Sequence, residues 1–421
     1  MKHIVFVHGS LIYGLSQWDP KITTPPGLYL LSTGILKPLQ LLGPAYFACT
    51  PANLRLINLL FSCGNFYLAY CITNHLHPQR AAQSAVVLTA LSVATFPPIY
   101  FFSTLYYTDP GALFFVLLMY MFHLHSRYTM AAIFGGLAIL FRQTNIIWVL
   151  FIAASRSLAI MQANLKIEGS RRKLMPAQLV YALYNQRRHL PVVVAEVLGE
   201  MGVYLFLGLV FLAAALFNQG LALGDKEAHT LALNLPQLGY FLTFTLGFAN
   251  SHLLTVALAS RFTHFLAQNT ALVGAVACLA ALAINHLTLV HPYLLADNRH
   301  LTFYVWRKLI ARNAVTPYLV IPLAIYAGWA ILQRLSHKTA LWRVVFLSCV
   351  ALAIVPQRLL EFRYFVIPYV LLRLNFAIYT PSQFLLELLL HAVVNIGVLL
   401  IFALYPFTWP AEPEVIQRII W

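Results

Sequence analysis

The sequence places an acid, an amide, a guanidinium and an imidazole in four consecutive positions: Asp297, Asn298, Arg299 and His300. Aromatic residues lie on both sides of this group. A guanidinium makes paired hydrogen bonds to phosphate, and amide and carboxylate groups satisfy sugar hydroxyls. The pattern favours a site that binds a sugar phosphate. The alternative is a polar turn at a membrane surface, in which Asp297 and Arg299 neutralise each other.

A second polar cluster lies near the start of the chain, in the string W-D-P-K-I-T-T-P-P-G-L-Y from Trp18. Its two adjacent prolines restrict the backbone before them, which predicts a stiff, non-helical loop. Such a loop would present Asp19 and Lys21 in a fixed direction. The alternative is a turn at the membrane interface that aromatic side chains anchor.

The string G-D-K-E-A-H, residues 224–229, supplies a third cluster with Asp225, Lys226 and His229. Asp225 and His229 are four residues apart, so a helical turn would put both on one face, where they could bind a cation or a hydroxyl. A solvated loop explains the charges almost as well. Two ligands are a weak basis for a metal site, and we predict none.

Two further clusters place charged residues among apolar ones. Arg142 stands in the string F-R-Q-T-N, and an arginine inside a membrane helix costs about 2.5–3.5 kcal/mol, so we expect it to meet a partner or an anion. Glu361 and Arg363 either bind substrate or pair with each other. Asp109, at the start of an apolar stretch, is most simply a helix N-cap.

The composition shows which kind of protein positions these residues. The chain has 421 residues, of which 61% are hydrophobic and only 9% charged, with a mean hydropathy of +0.76. Soluble proteins are about 25% charged, so this is an integral membrane protein. Neither disorder nor a soluble nucleic-acid-binding domain fits. The five cysteines include no C-x-x-C pair, which argues against a disulfide framework and a zinc site.

We predict an all-α polytopic helical bundle in which residues 1–421 form a single membrane domain. At about 20 residues a span, the chain holds roughly ten to twelve transmembrane segments. The predicted spans are 54–73, 84–104, 111–125, 191–217, 236–260, 270–290, 314–333, 343–356 and 384–405. Residues 129–154 are predicted to cross twice, as two short helices that meet at Arg142.

Charge asymmetry predicts the orientation of this bundle. The segment 155–190 carries seven Lys and Arg residues against one acid, Glu168, and is therefore predicted to be cytoplasmic. The excess of 27 basic over 12 acidic residues is then mainly an orientation signal. All four aspartates fall on the opposite side. The predicted loops on that side are near 14–27, 105–110, 218–235, 291–312 and 356–364.

Five strings together carry a resemblance to a known family: W-D-P-K-I-T-T-P-P-G-L-Y, L-F-R-Q-T-N-I-I-W-V, G-D-K-x-x-H, H-P-Y-L-L-A-D-N-R-H-x-T-F-Y and E-F-R-Y-F-x-I-P-Y. In this order, from about Gly14 to about Asn375, they resemble the endoplasmic-reticulum alpha-1,2-glucosyltransferases that complete the lipid-linked oligosaccharide for protein N-glycosylation. The resemblance implies a GT-C-type fold and a luminal active site. It also implies a dolichyl-phosphate-glucose donor and a diglucosylated, nine-mannose dolichyl-diphosphate acceptor.

The resemblance also implies the type of reaction. A beta-linked donor that gives an alpha-linked product requires inversion, with one base that takes the acceptor 2-hydroxyl proton. Cationic groups stabilise the charge that develops on the leaving dolichyl phosphate, and no metal or other cofactor is needed. The residues predicted to bind substrate are Lys21, Arg142, Asp225, Lys226, His229, Asp297, Asn298, Arg299, His300, Glu361 and Arg363.

The sequence departs from the family pattern at its start. The resemblance implies a further transmembrane helix and an Asp-Glu pair before the W-D-P-K string, whereas no acid precedes Asp19 here. In the wider class the base is an acid of the first luminal loop, which leaves Asp19 as the predicted base. We therefore expect the chain to begin late and to turn over poorly.

Two alternatives to this function remain at the level of sequence. One is another dolichol-linked-sugar transferase, which would share composition and topology. The other is a transporter or a catalytically silent membrane partner. Transporters often show a repeated half and broken helices near the midplane, whereas here the polar residues gather at one predicted surface and no repeat is visible.

Overall fold

The structure is a computed structural model that describes residues 22–43, 46–77, 83–165, 176–226, 230–377 and 381–421. The chain divides into two compact units. Unit 1 comprises residues 1–75 and 102–229, and unit 2 comprises residues 76–101 and 230–421. Three predicted site residues, Asp19, Lys21 and His229, lie outside the described residues. That the whole chain forms one membrane domain stays a prediction.

The described part is almost entirely helical, which confirms the all-α prediction. In chain order the α-helices are α1 (Gly27–Leu42), α2 (Pro51–Leu76), α3 (Gln83–Thr95), α4 (Pro97–Ser103), α5 (Thr108–Leu124), α6 (Tyr128–Phe141), α7 (Ile146–Asn164), α8 (Pro176–Asn185), α9 (Leu190–Phe217), α10 (Pro236–Phe248), α11 (Asn250–Leu253), α12 (Val256–Gln268), α13 (Thr270–Leu287), α14 (Pro292–Ala296), α15 (Leu301–Val305), α16 (Val320–Arg334), α17 (Ala340–Ile354), α18 (Val366–Leu374) and α19 (Pro381–Leu404). Short 3₁₀ turns occupy Gln143–Asn145, Arg187–His189, Thr316–Leu319 and Phe362–Phe365, and a π turn occupies Trp306–Ile310.

Six helical stretches of the described chain are long and apolar enough to cross a membrane: Pro51–Leu76, Gln143–Asn164, Arg187–Phe217, Thr270–Leu287, Thr316–Arg334 and Pro381–Leu404. Helices α3 and α4 together qualify as a seventh, although they are bent by 63°. These stretches confirm the helical character of the predicted spans at 54–73, 84–104, 191–217, 270–290, 314–333 and 384–405. The chain is therefore a polytopic helical membrane protein.

The predicted pair of short helices within 129–154 is confirmed. Helix α6 ends at Phe141, Arg142 is extended, and α7 begins at Ile146 and continues beyond the prediction to Asn164. A Cβ placed on Gly135 would lie 2.9 Å from the side chain of Val149. Both residues are seven positions from Arg142. The two helices therefore form an antiparallel hairpin whose turn is Arg142.

The predicted single span at 236–260 is wrong. Helix α10 ends at Phe248, and Thr255 caps a new, amphipathic helix, α12, by accepting a hydrogen bond from Leu258 N at 3.3 Å. The thirteen residues of α10 extend only about 20 Å, less than the hydrocarbon thickness. The break leaves the His252 carbonyl outside the helical ladder, where Arg334 Nε donates to it at 2.7 Å. A long-range arginine bond thus replaces the continuing helix.

The predicted spans do not include helices α1, α8, α14, α15 and α18 or the β-hairpin. Helices α1 and α18 were missed because Pro38 interrupts the first and the second is only nine residues long. The chain also ends in a two-stranded antiparallel hairpin, β1 (Phe407–Trp409) and β2 (Glu412–Gln417). A charged, proline-containing string such as P-A-E-P-E does not have the period of a buried helix.

An ion cluster lies in the core of unit 2, where Glu387 of α19 is fully buried. Arg373 of α18 donates to both Glu387 carboxylate oxygens, from Nε at 2.9 Å and from a terminal nitrogen at 2.7 Å. His252 Nε2 lies 3.0 Å from the same carboxylate. A buried charge is tolerated only when it is paired and hydrogen-bonded, so these contacts fix α11, α18 and α19 to one another.

We expect the substitution Glu387→Ala to lower the free energy of unfolding by about 3–5 kcal/mol, because it leaves Arg373 charged and unpaired in the core. The measurement is thermal unfolding of the purified protein in detergent. Glu414→Ala, which removes an exposed carboxylate from β2, is the matched control and should melt like the unchanged protein. Equal melting temperatures for the two variants would contradict this account of the cluster.

Candidate functional site

In unit 1, three of the predicted polar segments meet at the backbone carbonyl of Thr23. Gln143 Nε2 donates to this oxygen at 3.1 Å, and Leu223 N donates to it at 3.4 Å. Thr23 belongs to the W-D-P-K-I-T-T string, Gln143 to the F-R-Q-T-N turn, and Leu223 to the loop before Asp225. The structure therefore brings together three segments that are distant in sequence.

Asp109 adds the fourth predicted loop to this arrangement, through an ion pair with Arg142. The predicted N-cap role of Asp109 is wrong, because Tyr107 occupies the N-cap position of α5 and no side chain caps that helix. Asp109 lies inside the first turn, where a negative charge still suits the helix dipole. The pair confirms that Arg142 has a partner. Whether Arg142 also binds substrate stays a prediction.

Two glycines allow the backbone around the turn at Arg142 to pack this tightly. A Cβ at Gly27, the first residue of α1, would collide with the Leu140 carbonyl. A Cβ at Gly111, in the first turn of α5, would collide with the Phe141 ring. Only a residue without a Cβ permits both contacts, so the starts of α1 and α5 approach the end of α6 closely.

The loop before residue 227 does not begin the helical turn that one of the two interpretations of this string requires. Asp225 has a left-handed φ of 46°, so no right-handed helical turn begins at this residue. Lys226 Nζ donates to the Asn218 carbonyl, which closes the loop on itself. In the described ranges, no group of three His, Cys, Asp or Glu residues could hold a metal ion. The roles predicted for Asp225 and Lys226 in binding stay predictions.

In unit 2, the residues Asp297, Asn298, Arg299 and His300 form a short connection between α14 and α15, here called the D-N-R-H loop. Arg299 donates to both carboxylate oxygens of Asp297, from Nε at 2.9 Å and from a terminal nitrogen at 2.7 Å. Burial alone would raise the pKa of Asp297, but the hydrogen bonds from Arg299 and the nearby His300 outweigh it and lower the pKa below its ordinary value. The carboxylate is therefore ionised at neutral pH.

The residues from 407 to 421, here called the C-terminal segment, hold the D-N-R-H loop in place, and sequence reasoning missed them. Trp409 Nε1 donates to Asn298 Oδ1 at 2.8 Å, and its ring lies 4.6 Å from the Arg299 guanidinium carbon. Ile420 N donates to the Arg299 carbonyl at 2.7 Å, and Leu301 N donates to the Ile420 carbonyl at 2.8 Å. The aromatic and apolar residues of the string F-T-W…I-I-W were the available signal.

The C-terminal segment also links the D-N-R-H loop to the E-F-R-Y-F string. The Trp421 carbonyl lies 3.2 Å from His300 Nδ1, and the Trp421 ring stands 5.7 Å from the Phe362 ring. Phe362 lies between Glu361 and Arg363, which pair with each other at 2.5 Å. The two predicted motifs of unit 2 are therefore neighbours. Their predicted contacts with substrate stay predictions.

Comparison with known proteins bears on these two arrangements of motifs. A family model described as the DIE2/ALG10 family matches residues 7–374. The chain belongs to the DIE2/ALG10 family. The match spans every string on which the resemblance was based, and it therefore confirms the family that these strings indicated. No solved structure is significantly similar to the chain.

Relatives within the DIE2/ALG10 family match over nearly the whole chain. Proteins from Homo sapiens and Mus musculus are 38% and 39% identical to it, and each alignment covers 97% of this chain and 89% of the relative. A protein from Drosophila melanogaster is 34% identical, with 96% of this chain and 89% of the relative covered. All three are named Dol-P-Glc:Glc(2)Man(9)GlcNAc(2)-PP-Dol alpha-1,2-glucosyltransferase.

We expect Trp409→Ala to loosen the D-N-R-H loop, because it removes both the hydrogen bond to Asn298 and the ring beneath Arg299. Hydrogen–deuterium exchange at the amides of Leu301 and Ile420 should accelerate. Trp409→Phe, which keeps a ring but lacks the indole N–H, should give an intermediate rate. Thr408→Ala, at an exposed position of the same strand, is the control. Unchanged exchange in Trp409→Ala would show that the indole does not support the loop.

Proposed function

We propose that this protein transfers glucose from dolichyl-phosphate-glucose, in alpha-1,2 linkage, to the diglucosylated nine-mannose dolichyl-diphosphate oligosaccharide. It is a hexosyltransferase that completes the lipid-linked oligosaccharide. The observation that carries the proposal is the match to relatives of that name over 96–97% of the chain. The alternatives, a transferase of another dolichol-linked sugar and a transporter or silent partner, have no comparable support.

The proposal includes a GT-C-type fold with about ten to twelve spans in the endoplasmic-reticulum membrane. Its support is the helix inventory of the described chain. Besides the six long helices and the bent α3–α4 pair, three shorter apolar helices, α5, α6 and α17, are candidates for further crossings. Together these make ten crossings, at the lower end of the range that chain length suggested.

The active site is proposed to lie on the luminal side. The support is that the predicted luminal segments converge within each unit, at Thr23 in unit 1 and at the D-N-R-H loop in unit 2. A second convergence in unit 2 joins Ala232 and Asn234 to residues 355–356 through backbone hydrogen bonds of 3.1 Å and 3.0 Å. Segments that bond to one another share a membrane surface, in agreement with the charge asymmetry.

The proposed reaction is a single displacement with inversion. The acceptor 2-hydroxyl oxygen attacks the anomeric carbon of the donor while the bond from that carbon to the phosphate oxygen breaks. A base takes the hydroxyl proton, and dolichyl phosphate leaves as an anion. Donors fixed before the reaction stabilise this charge best. Arg299 fits this requirement because Asp297 and the Trp409 ring hold its guanidinium in a fixed orientation.

The other predicted binding residues take part according to their chemistry. Cations suit the donor phosphate and amide or acidic groups suit sugar hydroxyls. The first set is Lys21, Arg142, Lys226, Arg299 and Arg363, and the second is Asp225, His229, Asp297, Asn298, His300 and Glu361. The reaction as proposed uses no metal and no cofactor beyond the dolichol-linked donor. Asp19 stays the base predicted from the family resemblance.

Membranes that contain the protein, expressed in cells lacking their own enzyme of this type, test the proposal directly. We expect labelled glucose to move from dolichyl-phosphate-glucose to the diglucosylated acceptor, whereas dolichyl-phosphate-mannose and the monoglucosylated acceptor give no product. Transfer of another sugar, or none above empty-vector membranes, would refute the proposal. The rate relative to that of the Homo sapiens relative tests the separate expectation of poor turnover.

Substitutions in the D-N-R-H loop test the donor site. We expect Arg299→Ala to reduce transfer by about 100-fold, in the range that loss of one preorganised donor to a developing anion produces. Asp297→Asn should have a smaller effect on the rate and raise the donor KM, because it weakens the grip on Arg299. The control is Glu412→Gln on β2. Unchanged kinetics in both loop variants, at normal protein levels, would exclude this loop from donor binding.

A further inference from the structure

One carboxylate oxygen in the core of unit 1 has no hydrogen-bonding partner among the described residues. Asp109 is only 3% exposed, and Arg142 contacts its Oδ1. Its Oδ2 is buried, and no group of the residues that the structure describes donates to it. A buried oxygen of a charged group that lacks a donor costs several kcal/mol relative to one that is bonded. Such a cost at a single atom calls for a donor other than the groups that the described residues supply.

Among the carboxylates of the described residues, this situation is peculiar to Asp109. Glu387 is bonded at both oxygens by Arg373, Asp297 likewise by Arg299, and Glu200 likewise by Arg156. In these three carboxylates each oxygen already accepts a hydrogen bond from an arginine. Asp109 is paired through Oδ1 only. Its second oxygen, Oδ2, can therefore accept a hydrogen bond from another donor.

The ion pair of Asp109 and Arg142 lies next to partly exposed polar residues. Arg142 has 11% of its side chain exposed, and the adjoining Gln143 and Thr23 are also part-exposed. Asp109 is thus joined through Arg142 to the point where three motif strings of the family meet.

We infer that Asp109, and not the Asp19 that the family resemblance indicated, is the catalytic base of the transfer reaction, and that its Oδ2 accepts the proton of the acceptor hydroxyl. The inference rests on the proposed function. As the proton moves to Oδ2, the hydroxyl oxygen forms its bond to the anomeric carbon and dolichyl phosphate leaves with the electron pair of the broken bond. Arg142 is the positioning residue, because it fixes the orientation of the carboxylate through Oδ1.

The inference is tested by Asp109→Asn in the full chain, with Glu200→Gln as the matched control. Both substitutions remove a carboxylate from an arginine pair in unit 1, but Arg156 lies ten residues, or about 15 Å, beyond the start of α7 at Ile146. We expect Asp109→Asn to lower kcat by at least about 100-fold, the contribution typical of a general base, with a donor KM within about threefold of the unchanged protein. Glu200→Gln should retain transfer.

A second variant covers the case in which Asp109→Asn fails to accumulate. Asp109→Glu keeps the charge and the pair with Arg142 but displaces the accepting oxygen, so we expect normal accumulation and a kcat lowered by about 10-fold or more. Unchanged kcat in either Asp109 variant, with transfer by the unchanged protein intact, overturns the inference. Absence of transfer by the unchanged protein itself instead counts against the proposed function.

Discussion

A hydrocarbon environment supplies no water to ionisable side chains, and the rest of the structure depends on this constraint. Every buried charge needs a partner within the protein, because the free-energy cost of leaving it unpaired exceeds the stabilisation from the apolar packing around it. Glu387 and Arg373 meet this requirement deep in unit 2. The same requirement explains why Arg142 pairs with Asp109 at the point where helix α6 ends.

Pairing also determines the course of the chain around each site. A helix that must end at a polar residue exposes its last carbonyls, and these need donors from elsewhere in the sequence. Arg334 supplies one to the broken stretch after Phe248, and Gln143 supplies one to the extended Thr23. Motif residues therefore hold together loops that are distant in sequence. Where such a residue also contacts substrate, it has this second role besides the structural one.

The sequence predicted the helical class, most helices and the polar strings, because hydropathy and charge asymmetry are local properties. It did not predict that residues 236–260 break at Ala249, since the break is stabilised by Arg334, more than eighty positions away. The role of Trp409 could not be predicted either, because it depends on the contacts of Trp409 with Asn298 and Arg299. The hydrophobic periodicity of a sequence does not show which distant residues pair with each other.

The fate of each carboxylate follows from the same reasoning. Of the nine acidic residues that the structure describes, five pair with an arginine. An acid whose two oxygens both accept hydrogen bonds from the protein has little capacity left for chemistry. Sequence alone ranked Asp109 as a helix cap because it stands before a proline at the start of an apolar stretch. In three dimensions Arg142 contacts only the Oδ1 of Asp109. This separates Asp109 from the carboxylates whose two oxygens both accept hydrogen bonds within the protein.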